Sequence, residues 1–263
     1  LLNVTFVNIT SRNDASVFAS LDSNWTWTDL TFQYCKGLSV MIGAFQSSSG
    51  PFNMVIGGNI TAISGGDTGS NPVAFSFSAS SVNGAYPVSV QSDILNGANW
   101  NFYGYKHHLI MLQAFSATLN FSAQNVAVFS PPSGDYYAFL PSATRNVNVF
   151  IAASLQVQGL GVISTSGASA QTTLTAQSIL SSSCAANPCF EASYNTSLTT
   201  NSLRAEYFLY QVFILTGALR LSVSGSFDAV RNLSTSAASS VFLASSGNHS
   251  VNVGGNFTVS NVY

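Results

Sequence analysis

Apolar and polar residues alternate with a period of two along most of this chain, and helical periodicity is nearly absent. The alternation is clear in Leu2–Phe6, Val147–Val149, Leu155–Val157 and Leu219–Val223. Successive side chains of a β-strand point to opposite faces, so this pattern indicates strands with one side in a core and the other in water. Clusters of Gly, Asn, Ser and Pro separate the runs and are typical of turns. The chain is therefore predicted to be all-β.

A short motif of small residues followed by an apolar, polar, apolar triplet recurs along the chain. Gly57–Ala62, Ala152–Val157 and Gly254–Val259 share this outline. The first apolar residue of each match, with two weaker matches included, recurs at intervals of roughly 26 to 38 residues. These anchor positions are Val4, Leu30, Ile60, Val88, Leu119, Leu155, Phe190, Leu219 and Phe257.

Such an interval suits one coil of a solenoid, in which equivalent apolar residues of successive coils stack into one core. We therefore predict a right-handed parallel β-helix, with residues 1–263 as a single solenoid-like domain. An antiparallel β-sandwich shows similar alternation and is the alternative, including a sandwich that is completed by a strand from a neighbouring molecule.

Three segments, Leu2–Ile9, Asp29–Gly37 and Leu155–Ser164, resemble coils of right-handed parallel β-helix proteins. Similar sequence patterns occur in pectin-lyase-like domains and in large secreted surface proteins of bacteria and protists. The resemblance covers scattered coils in about half of the chain. It implies a fold and transfers no catalytic residues.

Charged residues make up only 6% of the sequence and the net charge is −2. No basic stripe is present to follow phosphates, which argues against nucleic acid as a partner. No apolar run is long enough for a membrane-spanning helix. Sugars could keep such a surface soluble, and Asn-x-Ser/Thr acceptor sites begin at Asn3, Asn8, Asn24, Asn59, Asn120, Asn195, Asn232, Asn248 and Asn256. We expect several of them to carry N-glycans, which implies a secreted or cell-surface protein.

The sequence has three cysteines. Cys184 and Cys189 bracket a turn-prone Ala-Ala-Asn-Pro insert and could close a small disulfide loop in an oxidising compartment; two buried thiols are the alternative. Cys35 is left over, either buried beside Phe32 and Tyr34 or paired outside the chain. The few histidines are not clustered with the cysteines, so no metal site and no cofactor are predicted.

Two aromatic groups are candidate ligand contacts. Trp25 and Trp27 share one face of a strand, where core packing is the favoured interpretation and a glycan or protein contact the alternative. Trp100 and Tyr103 precede the His107-His108 pair and could form a sugar platform. For this polar cluster, an exposed turn between strands is the favoured interpretation.

The nine acidic residues are spread so that no two lie within six positions, and no paired-carboxylate or nucleophile motif appears. We therefore expect a non-catalytic structural glycoprotein, a subunit of an extracellular filament, appendage or coat. A surface adhesin that binds glycans or another protein is the alternative, and a carbohydrate-active β-helix enzyme is the third hypothesis.

Both ends of the sequence read as strands, Leu1–Thr10 at the start and the Asn256–Tyr263 segment at the end. We expect a processed chain or a segment of a longer protein. Exposed strand edges invite pairing, so copies of the chain or other subunits are the predicted partners, joined by strand pairing or end-to-end stacking.

Overall fold

The computed structural model describes residues 1–11, 15, 17–64, 73–80, 84–132, 136–166, 169–184, 188–208, 210–231 and 240–260. These residues form 24 β-strands and no helix. Every strand pairing among them is parallel.

The strands follow one another along the chain with these bounds. The first twelve are β1 (Leu2–Val7), β2 (Phe18–Leu21), β3 (Asn24–Cys35), β4 (Val40–Ser47), β5 (Phe52–Ile56), β6 (Ile60–Ser64), β7 (Val73–Ala79), β8 (Val88–Ser92), β9 (Asn99–Tyr103), β10 (His108–Ala114), β11 (Leu119–Ala123) and β12 (Asn125–Phe129). The others are β13 (Tyr137–Ala143), β14 (Val147–Gln158), β15 (Gly161–Ser164), β16 (Thr172–Ser182), β17 (Phe190–Ala192), β18 (Thr196–Phe208), β19 (Gln211–Leu215), β20 (Leu219–Val223), β21 (Phe227–Arg231), β22 (Ser240–Ala244), β23 (His249–Val253) and β24 (Phe257–Ser260).

The pairings divide the surface into three faces, which we call A, B and C. Face C is a sheet of nine strands: β2, β4, β7, β10, β13, β15, β17, β19 and β22. The 15-stranded sheet bends along its length into two faces. Face A consists of β5, β8, β11, β20 and β23 together with the first halves of β3, β14, β16 and β18. Face B consists of β1, β6, β9, β12, β21 and β24 together with the second halves of β3, β14, β16 and β18.

Each coil passes through faces C, A and B in that order, and the inward side chains stack on their equivalents in the next coil. On face B one such row contains Val4, Leu30, Ile60, Trp100, Val126, Leu155, Ile179, Leu203, Phe227 and Phe257. On face C the rings of Phe190, Phe213 and Phe242 stack with centroids 4.6 and 5.0 Å apart. These rows bury one continuous apolar core, which is the main source of stability in a solenoid.

Polar side chains stack in the same way at the corner between faces A and B. Asn59 Oδ1 accepts a hydrogen bond from Asn99 Nδ2 at 2.8 Å, and Asn99 Oδ1 accepts one from Asn125 Nδ2 at 2.7 Å. Asn125 Oδ1 accepts bonds from the Ser154 hydroxyl and backbone N–H at 2.8 and 3.0 Å. This amide ladder satisfies polar groups at a tight corner, where the backbone alone leaves donors and acceptors unpaired.

The corner between faces B and C is built differently, from residues with positive φ. Tyr34, Gly104, Gly159, Ser183 and Tyr207 all lie there with φ between 56° and 86°. At Gly159 a Cβ atom would sit 2.1 Å from the Ser130 carbonyl oxygen, so only glycine fits. The left-handed residues turn the chain sharply and start the next coil.

The all-β prediction and the parallel β-solenoid class are confirmed, and the antiparallel sandwich is wrong because the pairings are parallel. The right-handed sense and the single-domain assignment stay predictions. The repeat anchors were only partly in register. Val4, Leu30, Ile60, Leu155 and Phe257 belong to one row on face B, whereas Val88, Leu119 and Leu219 lie on face A and Phe190 on face C.

Candidate functional surfaces

Eight of the nine predicted glycan acceptor sites lie in the described residues. The asparagine of each of these sites is exposed: Asn3, Asn8, Asn24, Asn59, Asn120, Asn195, Asn248 and Asn256. Asn232 lies outside the described residues. Exposure is what attachment of a sugar requires, and occupancy stays a prediction.

These eight asparagines are unevenly distributed around the solenoid. Asn24 and Asn120 lie on face A, while Asn195 and Asn248 come just before strands of that face. Asn3, Asn59 and Asn256 each precede an inward residue of the face B row, and Asn8 follows β1. The nine described strands of face C contain no asparagine at all.

The predicted aromatic ligand contacts are mostly inside the core. Trp27 and Trp100 are completely buried, so their assignment as surface contacts is wrong. Trp25 is partly buried and packs against the core, with its indole N–H donating to Ser20 Oγ at 3.0 Å. Tyr103 is 39% exposed and stacks on Phe129 at 5.7 Å, so it alone of the four presents a substantial surface.

The histidine cluster is also more buried than expected. Tyr105 and His107 are buried, which contradicts the exposed-turn interpretation, because this segment packs under the corner between faces B and C. His108 Nδ1 accepts a hydrogen bond from the Tyr137 backbone N–H at 3.1 Å. Burial, followed by the nearby His107, lowers the pKa of His108 to about 4, so this imidazole is neutral at physiological pH.

The three cysteines are present as buried thiols. The Cys184 thiol lies 3.0 Å from Ser181 Oγ and 3.5 Å from the Leu160 carbonyl oxygen. Burial is the main cause that raises the pKa of Cys189, and contact with Cys184 raises it further. The two thiols are therefore neighbours, which suits the predicted disulfide, and the bond itself stays a prediction. Cys35 is buried, with Sγ 3.8 Å from the Phe6 and Gln33 carbonyl oxygens.

An arginine and two acidic residues lie on two adjacent strands of face B. Arg204 and Asp228 are register partners on neighbouring strands, and Glu206 lies two positions beyond Arg204. Arg204 binds Glu206 Oε2 through both Nε and Nη2 at 3.0 Å. Sequence spacing missed this group because adjacent coils bring together residues that are far apart in the chain. The guanidinium engages the Glu206 carboxylate, so the geometry is that of a surface ion pair rather than of a free acid and base.

Glu191 occupies a different position, in the middle of face C. Its Oε2 accepts a short hydrogen bond, 2.6 Å, from Ser164 Oγ, and Ser164 Oγ lies 3.0 Å from Ser166 Oγ. The group opens into a shallow recess of about 480 Å³ that is also lined by Leu140 and Ile214. Glu191 is the one Asp, Glu, Lys or Arg in the nine described strands of face C.

Around this glutamate, face C presents a surface that the sequence analysis did not identify. One outward side chain from each of eight strands forms what we call the central row: Ala44, Ser76, Met111, Leu140, Ser164, Glu191, Ile214 and Leu243. Leu243 is 49% exposed, and Met111, Leu140 and Ile214 are partly exposed. The sequence signal for this surface is the apolar run of β19, Gln211–Leu215.

The last described coil exposes side chains that point inward in every other coil. Val251, Phe257 and Val259 continue buried rows, yet they are between 42% and 50% exposed. Phe257 rests on Phe227 at 4.9 Å, and its other side is open. Strands β22, β23 and β24 each pair on one side only among the described residues.

Comparisons with known proteins give no family assignment. No family model matches the sequence, no curated protein matches it, and no solved structure matches the fold. In the described ranges, no three or more His, Cys, Asp or Glu side chains are grouped in a way that could hold a metal ion. None of the described segments is a helix with the length and hydropathy of a membrane span.

Proposed function

We propose that this chain is a non-catalytic structural glycoprotein of the cell exterior, one subunit of a filament, appendage or coat. Its resemblance to the pectin-lyase-like repeats of large secreted surface proteins belongs to the same proposal. A rod of stacked coils with few charges and many exposed acceptor asparagines suits such a role. Sugars on faces A and B would supply the solubility that charged side chains supply elsewhere.

The observation that carries the proposal is that the inward rows continue from coil to coil through the described residues. The row residues Val251 and Phe257 of the last described coil would bury more apolar surface if another parallel coil stacked on them. The first coil offers matching residues, since Phe18 belongs to the same face C row as Phe242, and Val4 to the same face B row as Phe257. A second copy in continuous register would therefore place aromatic and aliphatic side chains on one another. Repetition of that contact gives an open polymer.

The test compares the chain, produced through a eukaryotic secretory pathway, with an end variant that carries Val251→Lys and Phe257→Lys. The matched control carries Asn252→Lys and Ser260→Lys, at outward positions of the same strands that lie outside the acceptor sites. Negative-stain microscopy should show end-to-end fibres for the parent and the control and short rods for the end variant. Monodisperse single rods from the parent at high concentration would exclude the filament role.

The adhesin hypothesis is weakened, because two of its four predicted contact residues, Trp27 and Trp100, are buried. The enzyme hypothesis has one observation in its favour: Arg204 binds Glu206 and is the register partner of Asp228 on the adjacent strand. A panel of neutral and acidic polysaccharides tests it directly. Release of reducing or unsaturated ends that disappears in Glu206→Gln and Asp228→Asn would support an enzyme and overturn a purely structural role.

A further inference from the structure

Face C differs from the other faces in the pattern of its strands. Several of its strands are largely apolar, such as HLIMLQA in β10 and QVFIL in β19, although outward serines and glutamines such as Ser76, Ser78 and Gln113 interrupt the pattern. Sheets with one wet side show alternation, whereas near-continuous hydrophobic runs are typical of parallel sheets covered on both sides. The inner side of face C is the core. The pattern therefore indicates that its outer side is also covered when the protein works.

The residues near the start of the face C strands, namely Ala74, Leu109, Ala138, Val162 and Val212, are buried and belong to the core. In the central row, Ser76 and Ser164 are also buried, whereas Leu243 is half exposed and Met111, Leu140 and Ile214 are partly exposed. Two apolar pairs, one on each side of Ser164 and Glu191, therefore remain open along the solenoid axis. Exposed apolar patches on a soluble protein can mark interaction sites.

The order of residues in the central row indicates the partner. From Met111 onward it reads apolar, apolar, polar, polar, apolar, apolar: Met111, Leu140, Ser164, Glu191, Ile214 and Leu243. A two-fold axis between Ser164 and Glu191 would place Leu140 opposite the second copy's Ile214 and Met111 opposite its Leu243. It would also place each Glu191 opposite a serine hydroxyl. A surface that matches itself under a two-fold rotation is what a symmetric dimer contact requires.

Charge and sugar placement agree with this geometry. Glu191 is the one charged side chain of the described face C strands, so the only like-charge approach in the proposed contact is between the two Glu191 carboxylates beside the axis, each of which accepts a hydrogen bond from a Ser164 hydroxyl. None of the eight described acceptor asparagines lies on a face C strand, so glycans on the other faces would leave this side clear.

We propose that face C packs against face C of a second copy, side by side and related by a two-fold axis between Ser164 and Glu191. This inference rests on the proposed structural role and adds a lateral contact to the end-to-end one. The two sheets would interdigitate Leu140, Ile214 and Met111 and would bury the Glu191–Ser164 pair at the centre.

The first experiment is sedimentation velocity on a face C variant with Leu140→Lys and Ile214→Lys. The matched control carries Thr175→Lys and Thr199→Lys, which point outward on face A. The parent and the control should self-associate alike, whereas the face C variant should bind itself about 100-fold more weakly, because unpaired charges would be buried at the contact. Circular dichroism and the thermal midpoint establish that both variants fold.

Methionine oxidation provides a readout that does not depend on any substitution. Met111 lies in the central row, while Met41 and Met54 are buried in the core and serve as internal references. In the parent, peroxide should oxidise Met111 several-fold more slowly at high protein concentration than at low concentration, with Met41 and Met54 unchanged. Equal rates for Met111 at all concentrations would overturn the proposal.

The outcomes separate this inference from the proposed function. Association that survives the face C variant and is lost in the Val251→Lys, Phe257→Lys variant would overturn the lateral contact and leave the filament role standing. Association lost in the face C variant alone supports the lateral contact without end-to-end growth. Protection of Met111 that requires another protein or a polysaccharide would overturn the assignment of a second copy as the partner.

Discussion

Faces A and C are built from parallel strands around the same core, yet their outer surfaces have opposite characters. Face A alternates, and most of its outward side chains are polar, as in Asn120 and Ser122 of β11 or Ser197 and Thr199 of β18. Val55 and Phe150 are exposed apolar exceptions on this face. The described strands of face C contain no Asn, Thr, Asp, Lys or Arg. The core requires only the inward half of each strand to be apolar. The outward halves therefore differ in polarity, a contrast that the proposed glycans on face A and the proposed contact on face C would explain.

The largest expected effect comes from a charge placed in a strand of face C. Val212 lies on the face C strand β19 and is completely buried in the core, so Val212→Asp would bury an unpaired carboxylate. We expect a loss of about 3 kcal/mol or more in the free energy of unfolding, measured by denaturation followed by circular dichroism. Thr199→Asp, at an exposed outward position of face A, should change it by less than about 0.5 kcal/mol. Equal effects at the two positions would show that the faces do not differ in the way described.

The sequence predicted the fold class well because alternation is a direct consequence of strand geometry. It placed Val4, Leu30 and Ile60 in one row correctly, since the coils that hold them share a local motif. It failed to separate the three faces, because Leu119 on face A and Leu155 on face B sit in the same alternating context. Which strands stack is decided by coil length, and hydrogen-bonded equivalents are separated by anything from 23 to 40 residues.

The next largest effect on stability is expected from reduction of the predicted disulfide at the corner that borders face C. Cys184 and Cys189 are adjacent buried thiols, and Cys189 directly precedes the face C strand β17. If the disulfide forms in the secreted protein, intact mass should rise by about 2 Da on reduction, and reduction should lower the free energy of unfolding by about 2 kcal/mol for so short a loop. Cys184→Ser with Cys189→Ser should make stability insensitive to reductant, while Cys35→Ser should leave the sensitivity intact. A secreted protein with three alkylatable thiols after unfolding would contradict the disulfide.

A smaller effect is expected at the polar corner between faces A and B. Asn99 links two neighbouring coils through its side-chain amide, donating to Asn59 and accepting from Asn125. Asn99→Ala should cost about 1–2 kcal/mol, because each lost hydrogen bond contributes about 1 kcal/mol and the remaining partners can be reached by water. Asn101→Ala, on the outer surface of face B, is the control and should be nearly neutral in the same denaturation assay. A neutral Asn99→Ala would mean that the amide ladder contributes little to the corner.

The candidate surfaces could be predicted less well than the fold, and for a physical reason. Arg204 and Asp228 are register partners only because the coil that joins them has a particular length, and no local motif encodes that length. Trp100 appeared available for a ligand because a tryptophan in an alternating strand can point either way, and the structure turns it into the core. The apolar run of β19 correctly indicated a buried strand, since its neighbouring residues Val212 and Phe213 are both buried.

The smallest expected effect is a pH dependence at the corner between faces C and A. Asp22 accepts hydrogen bonds from the hydroxyl of Ser49 at 2.6 Å and the backbone N–H of Ser48 at 2.5 Å, with two further bonds from the same serines at 2.9 Å. The Ser49 hydroxyl and the Ser48 N–H are the main causes that hold the pKa of Asp22 well below the model-compound value of 3.8. Because the folded-state pKa is lowered, the carboxylate stabilises the fold above about pH 4, and this contribution is lost as the pH falls further. The thermal midpoint of Asp22→Asn should therefore lie below that of the parent at pH 7 and approach it towards pH 2. A difference that stays constant over this range would mean that shape rather than charge holds this corner, and Ser49→Ala should show part of the same pH dependence.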